Sequence, residues 1–393
     1  MRDQLSERTN RGGSLGIVAI PLVIHINERG AVGEISHGHY LALMLPIIKQ
    51  VPKDVLLGKD HLIVTEIAQA HDGRLDAAHR LIDVAARAGA HAVKFQTHIA
   101  SAESTAREPW RVKFSSRDVT RRDYWKRMEF SLTQWKELRS HCHEVGVEFF
   151  SSPFSPEAVD LLMEIGVRLW KVASGEVNNL QLLMSLRDTR LPVILSSGLS
   201  TMQELRAALD VLALPRTEVA VLQCATQYPT RPERVGLNVV TRFQAELPCV
   251  VGVSDHSSTI FPSIAAAALG ARVFETHIKE STDVTGPDSS SSLDEEQLAS
   301  LVAGVRFIRA SMLSPVDKDA LSEDQLSLRG IFGRSLVAAR DLSVGHVLVA
   351  ADMAFKKPGG GLDFNWHSKL VGGVLLRSLE ADEAIRIEDV EVR

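Results

Sequence analysis

The chain has 393 residues, 45% of them hydrophobic and 24% charged, with 44 Lys and Arg against 49 Asp and Glu and a net charge of −5. That length supports two or three domains with full hydrophobic cores and no need of disulfide or metal staples. The composition excludes a disordered or collagen-like chain, and the mild acidity argues against the basic field of a nucleic-acid binder.

Residues 1–60 carry apolar patches at Ile17–Ile26 and Leu41–Ile48 between Gly, Asn and charged stretches, without a regular period. They are read as an N-terminal extension. The apolar run Gly16–Ile24 resembles a signal-peptide core, but Asp3 and Glu7 stand where a basic leader belongs and Pro21 interrupts it, so no leader is expected. From His61 the pattern becomes regular. Short β-branched or apolar runs predict strands at Leu62–Ile67, Ala92–Gln96, Val147–Ser151, Leu169–Ala173, Val193–Ser196, Ala220–Gln223, Val250–Val253 and Val273–Thr276. Amphipathic stretches alternate with them. Leu75–Ala88 sets Leu75, Ala78, Leu81, Ile82 and Ala85 on one helical face, and Thr133–Val145, Pro156–Ile165, Thr201–Leu212, Ile260–Leu269 and Leu293–Met312 behave alike. Ser155-Pro156 and Ser200-Thr201 are helix-start signals, and Gly89, Gly146, Gly166 and Gly270 stand where helices should stop. Eight strand–helix repeats within residues 61–313 predict a (β/α)8 TIM barrel. A doubly wound sheet would have a glycine-rich first turn, and Gly73 stands alone there.

Residues 314–329 are polar and charged and read as a linker. Residues 330–393 then show short alternating runs at Ser335–Ala339, His346–Val349, Ala354–Lys357, Gly373–Leu376 and Ala384–Ile387, punctuated by Gly, Pro and Asp, which predicts a small β-rich domain. No apolar run approaches the ~20 residues of a membrane-spanning helix, so no membrane partner is expected. The three cysteines, Cys142, Cys224 and Cys249, are odd in number and lack CxxC spacing, which fits a reducing cytoplasm rather than a disulfide framework or zinc knuckle.

Barrel enzymes build their sites where the strands end, at the C-terminal face. The predicted strand ends bring Glu66; Lys94 and Gln96; Ser151 and Ser152; Lys171, Ser174 and Glu176; Ser196 and Ser197; Gln223 to Thr226; Ser254, Asp255 and His256; and Glu275 and His277. Two lysines and several hydroxyls at one mouth suit a small, multiply charged anion such as a phosphate ester. Histidines on neighbouring strands can share one metal ion with positions left for water and substrate. Glu66 and Glu176 are candidate proton acceptors, supporting partners or substrate anchors. Each residue also has a plain structural reading: a rim ion pair for a lysine, a hydrogen-bonded strand end for one of the 14 histidines, a small core residue for Cys224. The Ser36–His39 segment, Ser-His-Gly-His, has metal-binding residue types but lies outside the regular pattern. The coincidence of many polar ends carries the functional reading.

The same strand ends carry a resemblance. Thr65–Gly73 (TEIAQAHDG), Lys94–Thr97 (KFQT), Ser151–Phe154 (SSPF), Lys171–Asn179 (KVASGEVNN), Leu195–Ser200 (LSSGLS), Gln223–Pro229 (QCATQYP), Gly252–Ser257 (GVSDHS) and Gly286–Asp288 (GPD) resemble the sialic acid synthase family, with its N-acetylneuraminate, legionaminate, pseudaminate and spore-coat members. The likeness runs over residues 60–390, including a tail similar to the family's antifreeze-like (SAF) domain. It implies metal-dependent condensation of phosphoenolpyruvate with the open-chain aldehyde of an N-acetylated sugar, giving a nonulosonic acid and phosphate. Carried across, Lys94, Ser152, Lys171, Ser174, Ser196 and Ser254 would hold phosphoenolpyruvate, and Gln96, Thr226, Tyr228 and Asp288 would lie on the sugar side. His256 and His277 would bind Mn2+ or Mg2+, and Glu66 and Glu176 would be the acidic residues nearest the chemistry. The resemblance also implies a domain-swapped homodimer whose tail supplies an arginine, here Arg334. The chain departs from the family at Ala70 for Asn, Thr226 for Asn, Thr276 for Arg and Ser289 for His, and in Ile278–Ser281. These departures lie mainly on the sugar side and leave two alternatives open: the same chemistry on a different aldehyde in natural-product or surface-glycan biosynthesis, or a non-catalytic ligand-binding relative.

Overall fold

The computed structural model describes residues 61–110, 113, 115–280 and 286–392. The expected N-terminal extension, with its Ser36–His39 segment, lies outside the described residues. Eight parallel strands close into a barrel in chain order: β1 Leu62–Glu66, β2 Ala92–Thr97, β3 Glu148–Pro153, β4 Trp170–Val172, β5 Val193–Ser196, β6 Val219–Cys224, β7 Val250–Asp255 and β8 Val273–His277, with β8 paired back to β1. The expected barrel is thus present. Several strands run one or two residues past their predicted ends. The parallel ladder continues through rim serines and acids, pairing Ser254 with Glu275 and Asp255 with Thr276, where an apolar pattern stops. β4 is shorter than predicted, because Ser174–Glu176 turns into a 3-10 helix.

One main helix follows each strand: α1 Leu75–Arg87, α2 Leu132–Val145, α3 Pro156–Ile165, α4 Leu180–Thr189, α5 Met202–Leu212, α6 Leu237–Glu246, α7 Phe261–Ala268 and α8 Glu295–Leu313. The capping chemistry is as local sequence requires. Ser155 caps α3 by accepting from Ala158 N, and Thr201 with Glu204 forms a reciprocal capping box on α5. Gly146 and Gly166 end α2 and α3 in the left-handed conformation, at φ of 86° and 85°. α1 buries Ala77, Ala78, Leu81, Ile82, Val84 and Ala85, close to the predicted face. The barrel centre is filled by side chains including Leu62, Val64, Phe150, Leu169, Ile194, Leu222 and Val273, so it is a packed core and only the strand ends are open to a ligand. Gly252 marks a close approach between strands: a Cβ there would sit 2.2 Å from the Val273 carbonyl oxygen.

The β2–α2 connection, residues 98–131, holds a further helix, Arg121–Met128. Arg127 pins it. The guanidinium binds Asp118 through Nη2 at 2.7 Å and Asp72, in the turn after β1, through Nη1 at 2.6 Å.

The described chain divides into two compact units, the barrel to Val302 and a unit ending at the C-terminus. The segment read as a linker is corrected in part: a helix, α9 Glu323–Phe332, begins inside it behind a Ser322–Gln325 capping box. The tail forms two small antiparallel pairs, β9 Ser335–Ala338 with β10 Met353–Lys356 and β11 Val374–Leu375 with β12 Val390–Glu391. The runs at His346–Val349 and Ala384–Ile387 contribute only isolated bridges, Val347 to Val374 and Val337 to Ala384. Its core gathers Leu336, Leu342, Leu348, Met353, Leu370, Leu375 and Ile385.

Candidate active site

The barrel register sets the first pieces. Glu66 at the end of β1 pairs laterally with Lys94 on β2 and His277 on β8, so an acid, an ammonium and an imidazole stand side by side at one rim. Lys94 Nζ contacts the Glu66 carboxylate and reaches Ser152 Oγ at 3.4 Å. Lys171 Nζ donates to Ser196 Oγ at 2.6 Å and to the Val172 carbonyl at 2.9 Å. Glu275 lies between the lysines, its Oε1 3.9 Å from each Nζ and accepting from Ser254 Oγ at 3.1 Å. Lys94, Lys171 and Glu66 are 2% exposed and Glu275 is 4% exposed.

Two ammonium groups and two carboxylates therefore share one dry space. Burial pushes the Lys94 ammonium down, to about 7, against the pull of Glu275; contact with Glu66 adds to that pull. Burial likewise lowers Lys171. Burial acts to raise the Glu275 carboxyl, but Lys171 and Lys94 override it and hold the group below the ordinary carboxylate range. Glu275 Oε2 is buried without a hydrogen-bond partner.

His256 and His277 face one another across the same mouth, ring centroids 5.1 Å apart, with the Tyr228 ring 4.2 Å from His256. His256 Nδ1 lies 2.9 Å from the Ala225 carbonyl, which can only accept; the proton therefore sits on Nδ1 and the Nε2 lone pair is left available. Burial, helped by His277, lowers His256 to about 3, so the imidazole is neutral at physiological pH.

The cavity between these groups has a volume of about 230 Å3. Eleven of the predicted site residues line it: Glu66, Lys94, Gln96, Lys171, Ser174, Ser196, Tyr228, Ser254, His256, His277 and Asp288. Ser152 stands behind Lys94. Glu176 and Thr226 line a neighbouring cavity of about 720 Å3, which shares Gln96, Ser174 and Tyr228 with the first. Burial raises the Glu176 carboxyl, opposed by Asn179 Nδ2, which donates to it at 2.8 Å. Arg334 lies in the second unit, exposed, donating to the Phe355 carbonyl at 3.1 Å.

Other motif residues are structural. His71 is buried against Phe130, with ring centroids 4.7 Å apart, and accepts from Gly73 N in the turn after β1. Cys224 is buried, its thiol raised by burial, with Ser174 Oγ 3.4 Å from the sulfur, which matches a core residue rather than an activated nucleophile. Sequence reasoning assigned no role to Glu275 and missed the wall formed by Trp110, Arg121, Tyr124 and Trp125. The signal for Glu275 was present: in Val-Phe-Glu-Thr-His the alternation of a strand sends Glu275 to the same side as His277.

Comparison with known proteins agrees with this architecture. The NeuB family model matches residues 81–316 and the SAF domain model residues 333–391. The chain is 32% identical over 334 residues to the N,N'-diacetyllegionaminic acid synthase of Campylobacter jejuni, covering 84% of this chain and 99% of that protein. It is 32% identical over 340 residues to the N-acetylneuraminate-9-phosphate synthase of Homo sapiens, covering 84% and 92%. Among solved structures, the N-acetylneuraminic acid (sialic acid) synthetase of Leptospira borgpetersenii, crystallised with citrate, superposes with a TM-score of 0.60 at 27% identity, covering 68% of this chain and 90% of that one. A family model spanning more than half of the residues, together with relatives similar along most of the chain, shows that the protein belongs to the NeuB family.

Proposed function

We propose that the protein condenses phosphoenolpyruvate with the open-chain aldehyde of an N-acetylated sugar, releasing phosphate and a nonulosonic acid. The observation that carries this reading is the meeting of two buried ammonium groups, four serine hydroxyls and two facing imidazoles at one barrel mouth. Lys94, Lys171, Ser152, Ser174, Ser196 and Ser254 hold the phosphate and carboxylate of the enol phosphate. These groups are fixed before substrate arrives, so little reorganisation is needed as charge develops. Its C3 bonds to the aldehyde carbon and water adds at C2; a C–O bond to phosphate then breaks, and phosphate leaves. Glu176, whose carboxyl is raised by burial, fits a proton donor to the former aldehyde oxygen. Glu66, in contact with Lys94, fits the acceptor for a proton from the adding water.

The donor set at the mouth, two imidazoles with the remaining positions left to water and substrate oxygens, fits a divalent ion, and the family resemblance makes Mn2+ or Mg2+ the candidates. The imidazole of His256 is neutral with its Nε2 lone pair available, and the His277 ring faces it. Among the described residues no group of three His, Cys, Asp or Glu side chains is arranged to hold an ion, so the fit is to two imidazoles with the other positions left to water and substrate. A bound divalent ion supplies Lewis acidity toward the aldehyde oxygen. Two copies exchanging tails, with Arg334 of the partner subunit at the mouth, complete this reading. Three buried free cysteines support a reducing compartment such as the cytoplasm.

Thr226 in the neighbouring cavity favours a second reading, the same enol-phosphate chemistry on another aldehyde. Incubation with phosphoenolpyruvate, Mn2+ and a panel of aldoses, including acetylated and diacetamido sugars, tests both. Phosphate release with a product heavier than the acceptor by one pyruvate unit is expected, and the productive acceptor separates the two. Failure of every acceptor in the panel to release phosphate would overturn the catalytic reading. His256→Ala should abolish turnover with loss of the bound ion; retained turnover and retained metal would remove the ligand assignment.

A further inference from the structure

Away from the barrel mouth, α1 and α2 carry a second pair of histidines. His79 on α1 and His141 on α2 approach through their Nδ1 atoms at 2.8 Å, with ring centroids 4.7 Å apart. The other nitrogen of each ring turns to a carboxylate on the opposite helix. His79 Nε2 lies 3.1 Å from Glu137 Oε1, and His141 Nε2 lies 3.0 Å from Asp83 Oδ1. Asp83 stands four residues after His79 and Glu137 four before His141, so the quartet is cross-braced between the helices. The histidine side chains are 25% and 19% exposed, open enough for an ion to enter.

The proton arithmetic of this quartet is constrained. An ionised carboxylate only accepts, so each Nε2 keeps its proton. Both Nδ1 atoms then present lone pairs to one another at 2.8 Å, and something positive has to lie between them. A single shared proton serves, but the quartet then carries one positive charge against two negative ones. A divalent cation between two neutral imidazoles balances both carboxylates and replaces one hydrogen bond with two coordinate bonds. An imidazole donating its far N–H to a carboxylate is the arrangement that orients metal-ligating histidines and raises their basicity. Two nitrogens about 2.0–2.1 Å from one ion stand roughly 2.9 Å apart at a right angle and about 3.4 Å apart in tetrahedral zinc, so the 2.8 Å spacing here suits adjacent positions on a square or octahedral ion as it stands and a tetrahedral one once the rings part by about half an ångström.

We propose that His79 and His141 form a metal site separate from the catalytic mouth, selective for a divalent ion that favours imidazole, such as Zn2+, Ni2+ or Cu2+, and that the ion clips α1 to α2. Imidazole donors suit these ions better than Mg2+ or Ca2+. Among the described residues no third His, Cys or carboxylate joins the pair, so water completes the coordination. Neither histidine lines the catalytic cavity, and the site does not depend on the function proposed above.

Tag-free protein carrying His256→Asn, to remove the imidazole pair at the mouth, is titrated with ZnCl2 alone by calorimetry and followed by thermal unfolding. One equivalent should bind and raise the melting temperature. Adding His79→Gln or His141→Gln should weaken binding at least tenfold and abolish the rise, whereas His143→Gln, on the same helix and exposed, should change neither. In the otherwise wild-type chain, His79→Gln and His141→Gln should leave turnover unchanged. Cu2+ added at one equivalent to the His256→Asn protein should give an EPR spectrum with imidazole nitrogen hyperfine structure, a readout that needs no change at α1 or α2. Undiminished Zn2+ affinity in the His79→Gln/His141→Gln double variant, or a Cu2+ spectrum without nitrogen coupling, would overturn the site.

Discussion

Lys171→Met tests the charge arrangement at the heart of the barrel. Methionine is close to lysine in volume, so packing changes little while the ammonium disappears. At 3.9 Å and an effective dielectric near 20, the attraction between Lys171 and Glu275 is about 4 kcal/mol. Removing one partner of such a buried pair strands the other, at a cost of roughly 3–5 kcal/mol. Ser196 also loses the ammonium that donates to it at 2.6 Å. The expected result is a fall of about 3 kcal/mol in unfolding free energy, read by urea denaturation at pH 7. Glu275→Gln strands Lys171 in turn, while Lys94 keeps Glu66, and Lys171→Met/Glu275→Gln removes both charges of the pair. The double variant should be more stable than the sum of the single losses by roughly 1–3 kcal/mol. Phosphoenolpyruvate affinity should fall in Lys171→Met by about 10- to 100-fold, the value of a charged hydrogen bond. Additive losses within 0.5 kcal/mol, or a single loss below about 1 kcal/mol, would show that Lys171 and Glu275 do not act as a pair.

Three further outcomes follow from the geometry. Asp118 is held below the ordinary carboxylate range by its hydrogen bonds to Arg127, so its contribution to stability is present above pH ~4 and is lost as pH falls toward the lower folded value. Asp118→Asn should therefore have a lower urea midpoint than wild type at pH 7, with the gap narrowing progressively as pH falls below ~4; a constant gap would refute the linkage. Gly252→Ala drives a Cβ against the Val273 carbonyl and Leu222, and should destabilise by about 1–3 kcal/mol or more, seen as a lower melting temperature; an unchanged value would place slack between β7 and β8. Lys94 binds an anion only as ammonium, and burial brings it toward 7, so phosphoenolpyruvate affinity measured by calorimetry should weaken as pH rises. Glu66→Gln removes a carboxylate that retains the proton and should move that weakening to lower pH; movement to higher pH would contradict the contact.

The barrel and most of its mouth were legible because both follow short-range rules. A buried parallel strand is a short apolar run, a helix start is a Ser or Thr with an acceptor three residues on, and the residue after an apolar run is a rim residue. Lys94, Lys171, His256 and His277 could all be placed that way, and the barrel brings them together. Three features were not legible by the same rules. β4 stops at Val172 because Ser174–Glu176 turns, although the apolar run continues to Ala173. None of the residues of α9 is buried, although Leu326, Leu328, Ile331 and Phe332 are apolar, and the polar, charged stretch in which it begins hid its start. Trp110, Arg121 and Trp125 reach the cavity from a long connection whose course depends on Arg127 gripping Asp72, 55 positions away, and Asp118, nine positions away, with no period to reveal either contact. Glu275 needed only the two-residue alternation of β8, and lacked a motif that made its charge look necessary.

The matched charges beneath the mouth also bear on selectivity. Because Lys94 and Lys171 already have Glu66 and Glu275 as internal counterions, a lone chloride or sulfate entering the barrel must break standing partnerships and gains little. A guest that arrives with cationic company of its own, lodged beside the imidazoles, relieves that competition. On the function proposed above, the barrel floor would therefore discriminate against simple salts in favour of an anion accompanied by a divalent ion.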